Sequence, residues 1–207
     1  MKIVPTILTD NIEVFKSQLK AIEEFSDEVD LDVMDGSLFG KSTLSLLDML
    51  EVETPLVRHL HLMQKDIVES MKLALEYGIR TAVVHAEADL TKINFKEVPI
   101  QLGIALSPAT QPSEIEKYLK EISMVQIMTV EPGEQGHVFL PEQLKKIQEL
   151  RAIGFEGEIM IDGGVNLETI LEVEKAGADV VYIGSVIWKS ENPAEMYRKL
   201  QETVQNN

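Results

Sequence analysis

Short apolar segments rich in β-branched residues alternate along the whole chain with longer amphipathic, charged segments. The apolar segments have the length and composition of β-strands, and the amphipathic segments have the spacing of helices that bury one face. This pattern predicts strands at residues 2–8, 28–34, 56–63, 80–87, 101–107, 124–130, 157–162 and 179–184. It predicts helices at residues 10–24, 42–51, 65–77, 112–121, 140–153, 166–176 and 192–204.

The regular alternation of strands and helices predicts parallel strand pairing, because a helical connection returns the chain to the same end of the sheet. Eight strands favour an α/β fold of the (β/α)8 type, a TIM barrel, with an open doubly wound sheet as the alternative. Residues 88–100 show little helical periodicity, so we expect the fourth helix to be truncated. No linker or change of composition divides the chain, and residues 1–207 are interpreted as a single domain.

Composition and charge narrow the classes of partner. The chain carries 19 basic and 35 acidic residues, a formal net charge of -16, which repels phosphate backbones and anionic lipid and argues against a nucleic-acid or membrane partner. It contains no cysteine, so disulfides and thiolate metal sites are excluded. The first residues already have a strand pattern, and no apolar run approaches the ~18 residues of a membrane span. We therefore expect a cytoplasmic protein.

Polar side chains stand at the ends of three of the predicted strands. Asp32, His61 and Asp162 each close a strongly apolar segment, and Met34 shares the strand face of Asp32. Because a TIM barrel places its active site at the carboxyl ends of its strands, we expect these side chains to converge. Two carboxylates and an imidazole form a set that can bind a divalent metal and move protons.

Two glycine-containing segments predict an anion site at the same end of the barrel. Gly163-Gly164 precedes a predicted helix start at Asn166, and Gly184-Ser185 precedes a short apolar segment. Loops after strands seven and eight commonly bind phosphate in this fold through backbone N–H groups. Each pair taken alone is more often just a turn.

Nine ordered segments give the chain a resemblance to a known family. They are Pro5-Thr6-Ile7-Leu8, Asp32-Val33-Met34-Asp35-Gly36, His61-Leu62-Met63, Val84-His85-Ala86-Glu87-Ala88, Pro108-Ala109-Thr110, Met128-Thr129-Val130, Pro132-Gly133, Asp162-Gly163-Gly164 and Gly184-Ser185. Together they resemble the ribulose-phosphate 3-epimerase family over essentially the whole chain. The resemblance implies a (β/α)8 barrel, often a homo-oligomer, that inverts C3 of a ketose phosphate such as ribulose 5-phosphate. It also implies a divalent metal ion (Mn, Zn, Fe, Co or Mg) and no organic cofactor.

The resemblance also assigns roles to individual residues. Asp32 and Asp162 would be the two catalytic acid/base groups and, with His61, metal ligands. The substrate-binding residues it implies are Thr6, Met34, His61, Met63, Met128, Gly136, Gly163, Gly164, Gly184 and Ser185. The three methionines would form a water-excluding floor under the reacting carbons, although each taken alone is equally well explained as barrel filling.

Several positions depart from the family pattern. Asp30 stands where the family has a metal-binding histidine; it either ligates, giving an oxygen-rich site that favours Mn²⁺ or Mg²⁺, or leaves the site weakened. His59 replaces an acid, Ser107 replaces an asparagine, and Glu131 and Glu134 add charge to a loop that would approach phosphate.

Two other functions are therefore kept as alternatives. The first is a barrel that binds a phosphosugar without turnover. The second is a lyase or decarboxylase that uses an Asp-x-x-Asp strand end, which Asp32 and Asp35 could mimic, although the lysine commonly found between such acids is absent.

Overall fold

Eight parallel strands close into a barrel in the order β1 to β8, with each strand paired to its neighbours in sequence and β8 paired to β1. The structure, a computed structural model, describes residues 1–95, 97–131 and 138–206. The strands are β1 Lys2–Ile7, β2 Glu28–Met34, β3 Val57–Met63, β4 Thr81–His85, β5 Gln101–Leu106, β6 Met124–Met128, β7 Glu158–Asp162 and β8 Val180–Ile183. The predicted TIM barrel is confirmed, and the doubly wound alternative is wrong.

Helices follow the strands and cover the outside of the barrel. They are α1 Ile12–Ile22, α2 Leu46–Leu50, α3 Val68–Glu76, α4 Lys145–Ala152, α5 Ile170–Ala176, α6 Ser185–Trp188 and α7 Pro193–Gln205. The connection after β4 contains only the short 3-10 helix Leu90–Lys92, which confirms the predicted truncation. Among the described residues, no helix combines the length and apolarity needed to cross a bilayer.

The connection after β5 differs from the predicted α-helix. Pro112–Tyr118 forms a 3-10 helix, and a second 3-10 helix, Pro141–Leu144, precedes α4. Proline supplies the first residue of both, because its fixed φ suits the first turn and its missing N–H would have no partner there. The Glu114 side chain accepts a hydrogen bond of 2.7 Å from the backbone N–H of Gln111 and closes the first of these turns. Periodicity located both segments correctly but did not distinguish the two helix types.

Strand residues alternate between the inside of the barrel and the layer under the helices. Inside, one apolar cluster is formed by Val4, Val83, Ala105, Met124, Met160, Val180 and Tyr182, which we call the apolar interior. Outward residues such as Leu31, Leu60 and Ile104 pack under the helices in the larger core. The alternation therefore assigns the inward positions of β2, β3, β6 and β7 that form the site.

Strand register brings the polar side chains to common levels. On β2 and β3, Asp30 pairs with His59, Asp32 with His61, and Met34 with Met63. Asp162 is the last residue of β7 and pairs with Met128 of β6. Because all strands run in the same direction, Asp32, Met34, His61, Met63 and Asp162 lie toward the carboxyl end of the barrel, where the following loops can enclose a ligand.

Candidate active site

The imidazole of His61 joins the two predicted catalytic carboxylates. Its Nδ1 lies 2.9 Å from Oδ1 of Asp32 and 3.3 Å from Oδ2 of Asp162. His61 and Asp32 are buried, and the side chain of Asp162 is 14% exposed. The hydroxyl of Thr6 reaches Oδ2 of Asp32 at 3.4 Å. The three residues expected to converge are thus brought to one point at the end of the barrel.

Asp30 lies directly below this point. It is 1% exposed, and its Oδ2 has no hydrogen-bond partner among the described residues. One ligand atom from each of Asp30, Asp32 and His61 can be chosen so that all three lie within 4.8 Å of one another. A buried carboxylate oxygen without a donor is costly, so the arrangement fits a site that accepts a cation.

The electrostatics of the cluster agree with that geometry. Burial, followed by the nearby charge of Asp32, raises the pKa of Asp30 well above its usual value, and burial also raises the pKa of Asp32. Burial lowers the pKa of His61, but the hydrogen bonds to Asp162 and Asp32 outweigh burial and raise this pKa to about 10. All three shifts favour the protonated forms, so in the absence of a metal ion the cluster tends to keep bound protons.

The donor set also fits a divalent metal. Nδ1 of His61 lies 2.9 Å from an oxygen of Asp32 and 3.3 Å from an oxygen of Asp162, and Asp30, Asp32 and His61 can each offer an atom to one ion. Asp30 adds an oxygen that has no partner among the described residues. Three carboxylates and one imidazole form an oxygen-rich set. Asp30 therefore lies close enough to act as a ligand, which was one of the two outcomes expected for this position.

Two buried polar residues that the sequence analysis did not assign to the site complete it. Gln126 of β6 donates from Nε2 to Oδ2 of Asp162 at 3.0 Å, and this Nε2 lies 3.3 Å from each of the two ring nitrogens of His61. His85, the last residue of β4, places Nε2 2.9 Å from Nε2 of His61. Gln126 could have been found as a polar residue between Met124 and Met128 on one strand face.

His85 is in turn held by a carboxylate. Its Nδ1 lies 3.2 Å from Oε2 of Glu87, and the hydroxyl of Thr110 donates to the other oxygen of that carboxylate. Burial lowers the pKa of His85 to about 4 although Glu87 is its partner. Against the effect of burial, hydrogen bonds from His85 and Thr110 lower the pKa of Glu87 to about 2. A neutral imidazole and an ionised carboxylate therefore lie behind His61.

Comparison with known proteins agrees with this arrangement. The model described as the ribulose-phosphate 3 epimerase family matches residues 2–188. The chain belongs to the ribulose-phosphate 3-epimerase family. Curated relatives include the ribulose-phosphate 3-epimerase of Methanocaldococcus jannaschii, 30% identical over 99% of this chain and 91% of the relative. The enzyme of Bacillus subtilis is 30% identical over 91% of this chain and 92% of its own length. The chain is accordingly an isomerase of the ribulose-phosphate 3-epimerase type.

Solved structures with the same fold include more distant proteins. A 3-hexulose-6-phosphate synthase from Salmonella typhimurium superposes with a TM-score of 0.74 at 16% identity, covering 100% of this chain and 99% of that one. KGPDC from Streptococcus mutans, in complex with D-R5P, superposes with a TM-score of 0.76 at 14% identity, covering 99% of this chain and 97% of that one. At such low identity these likenesses support the barrel fold alone.

The three methionines that resemble the floor of the epimerase family lie at the carboxyl ends of their strands. Met34, Met63 and Met128 are buried, with 3–4% exposure each. Met34 and Met63 are register partners, and Sδ of Met128 lies 3.4 Å from the amide nitrogen of Gln126. Next to the polar cluster, these side chains are placed to exclude water from the site. The same position is equally explained as packing against the carboxyl end of the apolar interior.

The glycine segments expected to bind phosphate in this epimerase-family barrel lie beside a cavity of about 380 Å³. Gly164, Asn166, Ser185 and Lys189 are among its lining residues, whereas Gly163 and Gly184 adjoin it without lining it. Gly164 has a φ of +70°, and a Cβ there would lie 2.9 Å from the backbone nitrogen of Phe139. Only glycine both adopts this positive φ readily and lacks the Cβ that would collide with Phe139.

One expected substrate contact is not part of this description. Gly136, together with the rest of residues 132–137, lies outside the described residues. Glu131, which precedes that segment, is exposed.

Proposed function

We propose that this chain inverts the configuration at C3 of a ketose phosphate, ribulose 5-phosphate or a closely related sugar phosphate. The observation that carries the proposal is the meeting of Asp32 and Asp162 at one nitrogen of His61. Inversion requires a proton to leave one face of the carbon and another to arrive on the opposite face. Two carboxyl groups from different sides of one pocket meet that requirement.

The strand order supports such a division of roles. Asp32 lies on β2 and Asp162 on β7, and β1 and β8 separate these strands around the barrel. The two carboxyl groups therefore approach the axis from different directions. Thr6 holds one oxygen of Asp32, and Gln126 holds one oxygen of Asp162. Each carboxyl group is oriented by its own hydrogen-bond donor, which fixes the direction from which it approaches a substrate.

We also propose that Asp32, His61, Asp162 and Asp30 hold a divalent metal ion. When bound, such an ion supplies Lewis-acid stabilisation of the negative charge that develops on the substrate oxygens, worth several kcal/mol. The unpartnered Oδ2 of Asp30 supports its inclusion, and the oxygen-rich set favours Mn²⁺ or Mg²⁺. The buried methionines Met34, Met63 and Met128 would exclude water from the reacting carbons.

The phosphate group is proposed to bind in the cavity lined by Gly164 and Ser185. Backbone N–H groups after β7 and β8 suit a phosphate dianion, and Lys189 adds a positive charge to the wall. We propose a homo-oligomeric, cytoplasmic enzyme with no organic cofactor and no nucleic-acid or membrane partner. The absence of cysteine and the net charge of -16 support this setting.

The lyase alternative is less well supported. It requires the second acid of the Asp-x-x-Asp segment to face the pocket, but Asp35 is exposed and accepts a hydrogen bond of 2.9 Å from the backbone N–H of Ser37. No lysine stands between Asp32 and Asp35. A pocket acid that points to solvent cannot act on bound substrate.

Hydrogen exchange at C3 tests the proposal. The protein is incubated with ribulose 5-phosphate in D₂O with Mn²⁺, Mg²⁺ or Zn²⁺, and deuterium at C3 is followed by NMR. We expect exchange in the wild type and a loss of about 10²- to 10⁴-fold in Asp32→Asn and in Asp162→Asn. Asp35→Asn is the matched control, since it removes an exposed carboxylate from the same strand end.

Two results would contradict the proposal. The first is an Asp35→Asn variant as impaired as Asp32→Asn, which would return support to the lyase reading. The second is a folded wild type that binds ketose phosphates without C3 exchange under any of the metals, which would identify a binding protein.

A further inference from the structure

The hydrogen bonds behind His61 form a series that ends in a carboxylate outside the proton-transfer pair. Nε2 of His61 faces Nε2 of His85 at 2.9 Å, and Nδ1 of His85 faces Oε2 of Glu87 at 3.2 Å. His61 and His85 are both 0% exposed, so bulk water does not reach the contact between the two rings. Protons in this series are therefore placed by the residues themselves.

The number of protons available in the series determines which nitrogen of each ring donates and which accepts. Two facing ring nitrogens at hydrogen-bond distance share one proton, so one of them donates and the other accepts. An ionised Glu87 can only accept a hydrogen bond, so the proton of neutral His85 must be on Nδ1, which faces Glu87. Nε2 of His85 then has no proton and accepts a hydrogen bond. The proton between the rings then belongs to Nε2 of His61. As a result, the lone pair of neutral His61 lies on Nδ1, toward Asp32 and Asp162.

The opposite arrangement of protons would weaken metal binding. If Nε2 of His85 carried the proton, neutral His61 would carry its own proton on Nδ1. That proton would stand between His61 and the carboxylates of Asp32 and Asp162, in the place a metal ion would take. The proton position set by Glu87 thus decides how readily Nδ1 of His61 can bind a metal ion.

Glu87 is itself firmly placed. The hydroxyl of Thr110 donates to its Oε1, and the hydroxyl of Ser107 lies 3.4 Å from Nδ1 of His85. The loop that carries Ser107 and Thr110 is fixed by Lys146, a residue 1% exposed whose Nζ donates to the carbonyl oxygens of Ser107 and Pro108 at 2.9 and 3.0 Å. Burial of an ammonium group costs free energy unless it is hydrogen-bonded. Here the hydrogen bonds of Lys146 hold the loop that carries Ser107 and Thr110 next to His85 and Glu87.

We propose that Glu87 is a positioning residue which, through His85, keeps the proton of His61 on Nε2 and so presents Nδ1 to a divalent metal ion. The inference rests on the proposed metal site and deepens it, since it names the residues that orient the imidazole ligand. Partners of this kind typically change metal affinity 10- to 100-fold when removed.

The decisive variant is Glu87→Gln. Because Thr110 donates to Oε1, the amide nitrogen of glutamine takes the position of Oε2 and donates to Nδ1 of His85, which reverses the series. His85→Phe keeps a ring in the same space but removes the acceptor for His61. Glu76→Gln is the matched control, because it removes the same charge at the exposed end of α3, far from the carboxyl end of the barrel.

Two measurements read the result without substrate. Long-range ¹H–¹⁵N NMR of the histidine rings, assigned with His85→Phe, should show the His85 proton on Nδ1 in the metal-free wild type and on Nε2 in Glu87→Gln. Titration with Mn²⁺ should show affinity reduced about 10- to 100-fold in Glu87→Gln and His85→Phe, and unchanged within twofold in Glu76→Gln. At saturating Mn²⁺, C3 exchange by Glu87→Gln should recover, which a merely structural defect would not do.

The outcomes separate this inference from the proposed function. A wild type with the His85 proton on Nε2, or a Glu87→Gln variant with the affinity and the His85 proton of the control, would overturn the inference. Absence of Mn²⁺ binding by the wild type would overturn it together with the metal site. A wild type that binds Mn²⁺ and responds to Glu87→Gln, but catalyses no C3 exchange, would support the inference and overturn the proposed function alone.

Discussion

The inside of the barrel has two unlike halves. On β2 and β3, the inward side chains are polar along much of the strand length: Glu28, Asp30, Asp32, His59 and His61. Apart from His85, Gln126 and Asp162 of the site, β1 and β4 to β8 contribute the apolar interior, which includes Val83, Met124 and Met160. The two halves share one fold and one register, so backbone geometry does not explain the difference.

The apolar half is accounted for by its contribution to the stability of the fold, whereas the polar half is not. Apolar packing inside a barrel favours folding through burial of surface, whereas buried carboxyl groups cost free energy unless they are paired. Asp30 has an oxygen without a partner in the described part of the chain, and burial raises the pKa of both Asp30 and Asp32. The polar half is therefore maintained against stability, which is typical of a functional site.

A charge placed in the apolar half should have the largest effect. Val83 is 2% exposed and packs in the apolar interior, so Val83→Asp buries a carboxylate without a partner. We expect a loss of several kcal/mol in the free energy of unfolding, or failure to fold. Urea unfolding measures it, with Val57→Asp as control because Val57 is 55% exposed at the start of β3. Equal stability of Val83→Asp and wild type would remove the distinction between the halves.

Extra volume in the apolar half should be the next largest effect. A Cβ added at Gly103 would lie 3.0 Å from Cβ of Met124 and 3.2 Å from a methyl group of Val83. We expect Gly103→Ala to lower the free energy of unfolding by about 1–3 kcal/mol, because a close-packed interior has no room for it. Thermal unfolding should show a lower Tm while C3 exchange at low temperature is retained; an unchanged Tm would mean that this interior is loosely packed.

Removal of a charge from the polar half should act on metal affinity and not on the fold. In Asp30→Asn we expect Mn²⁺ affinity to fall about tenfold or more, since a ligand oxygen loses its charge. In metal-free protein the urea midpoint should stay equal or rise, because a buried carboxyl without a partner has been replaced. Asp27→Asn, on the exposed approach to β2, is the control. A large loss of metal-free stability would show that Asp30 is a structural residue.

Gln126 should have a smaller and purely functional effect. It donates to Asp162, but its own Oε1 has no partner among the described residues. Gln126→Leu should therefore change the free energy of unfolding little, because Oδ2 of Asp162 keeps its contact with His61 and the buried Oε1 without a partner is removed. We expect kcat for C3 exchange to fall about tenfold, since Asp162 loses its orienting donor. Unchanged kcat would leave Gln126 without a role in orientation.

The smallest effect should be the pH-dependent contribution of Glu87 to the stability of the folded protein. Hydrogen bonds hold its pKa at about 2 in the folded protein, below its ordinary value of 4.5. A lowered folded pKa stabilises the protein above the unfolded pKa, and this contribution is lost as pH falls from 4.5 toward 2. With metal removed, the Tm difference between wild type and Glu87→Gln should be largest near neutral pH and shrink below about pH 4.5. A difference that stays constant with pH would contradict the hydrogen-bonded, ionised state.

The sequence predicted the architecture well because periodicity is a local property. Apolar segments of strand length and amphipathic segments of helix spacing located every strand of the barrel, and the weak pattern of residues 88–100 predicted the truncated connection. The 3-10 form of Pro112–Tyr118 was not predicted, since tertiary packing selects between helix types of similar spacing.

The candidate site was predicted in part. Asp32, His61 and Asp162 were found because each ends an apolar strand, and the structure brings them together. His85 and Gln126 were not assigned, because a single polar residue in an apolar strand is more often a satisfied core residue.

The amino-acid sequence by itself determined the order of elements, the inward positions of each strand and the acid–imidazole–acid set at the strand ends. Only the tertiary structure decided that Asp30 lies at that set with an unpartnered oxygen, that Gln126 holds Asp162, and that Glu87 faces His61 through His85. The physical reason is that strand pattern reports which face a side chain occupies, whereas distances between side chains of different strands depend on the register and closure of the barrel.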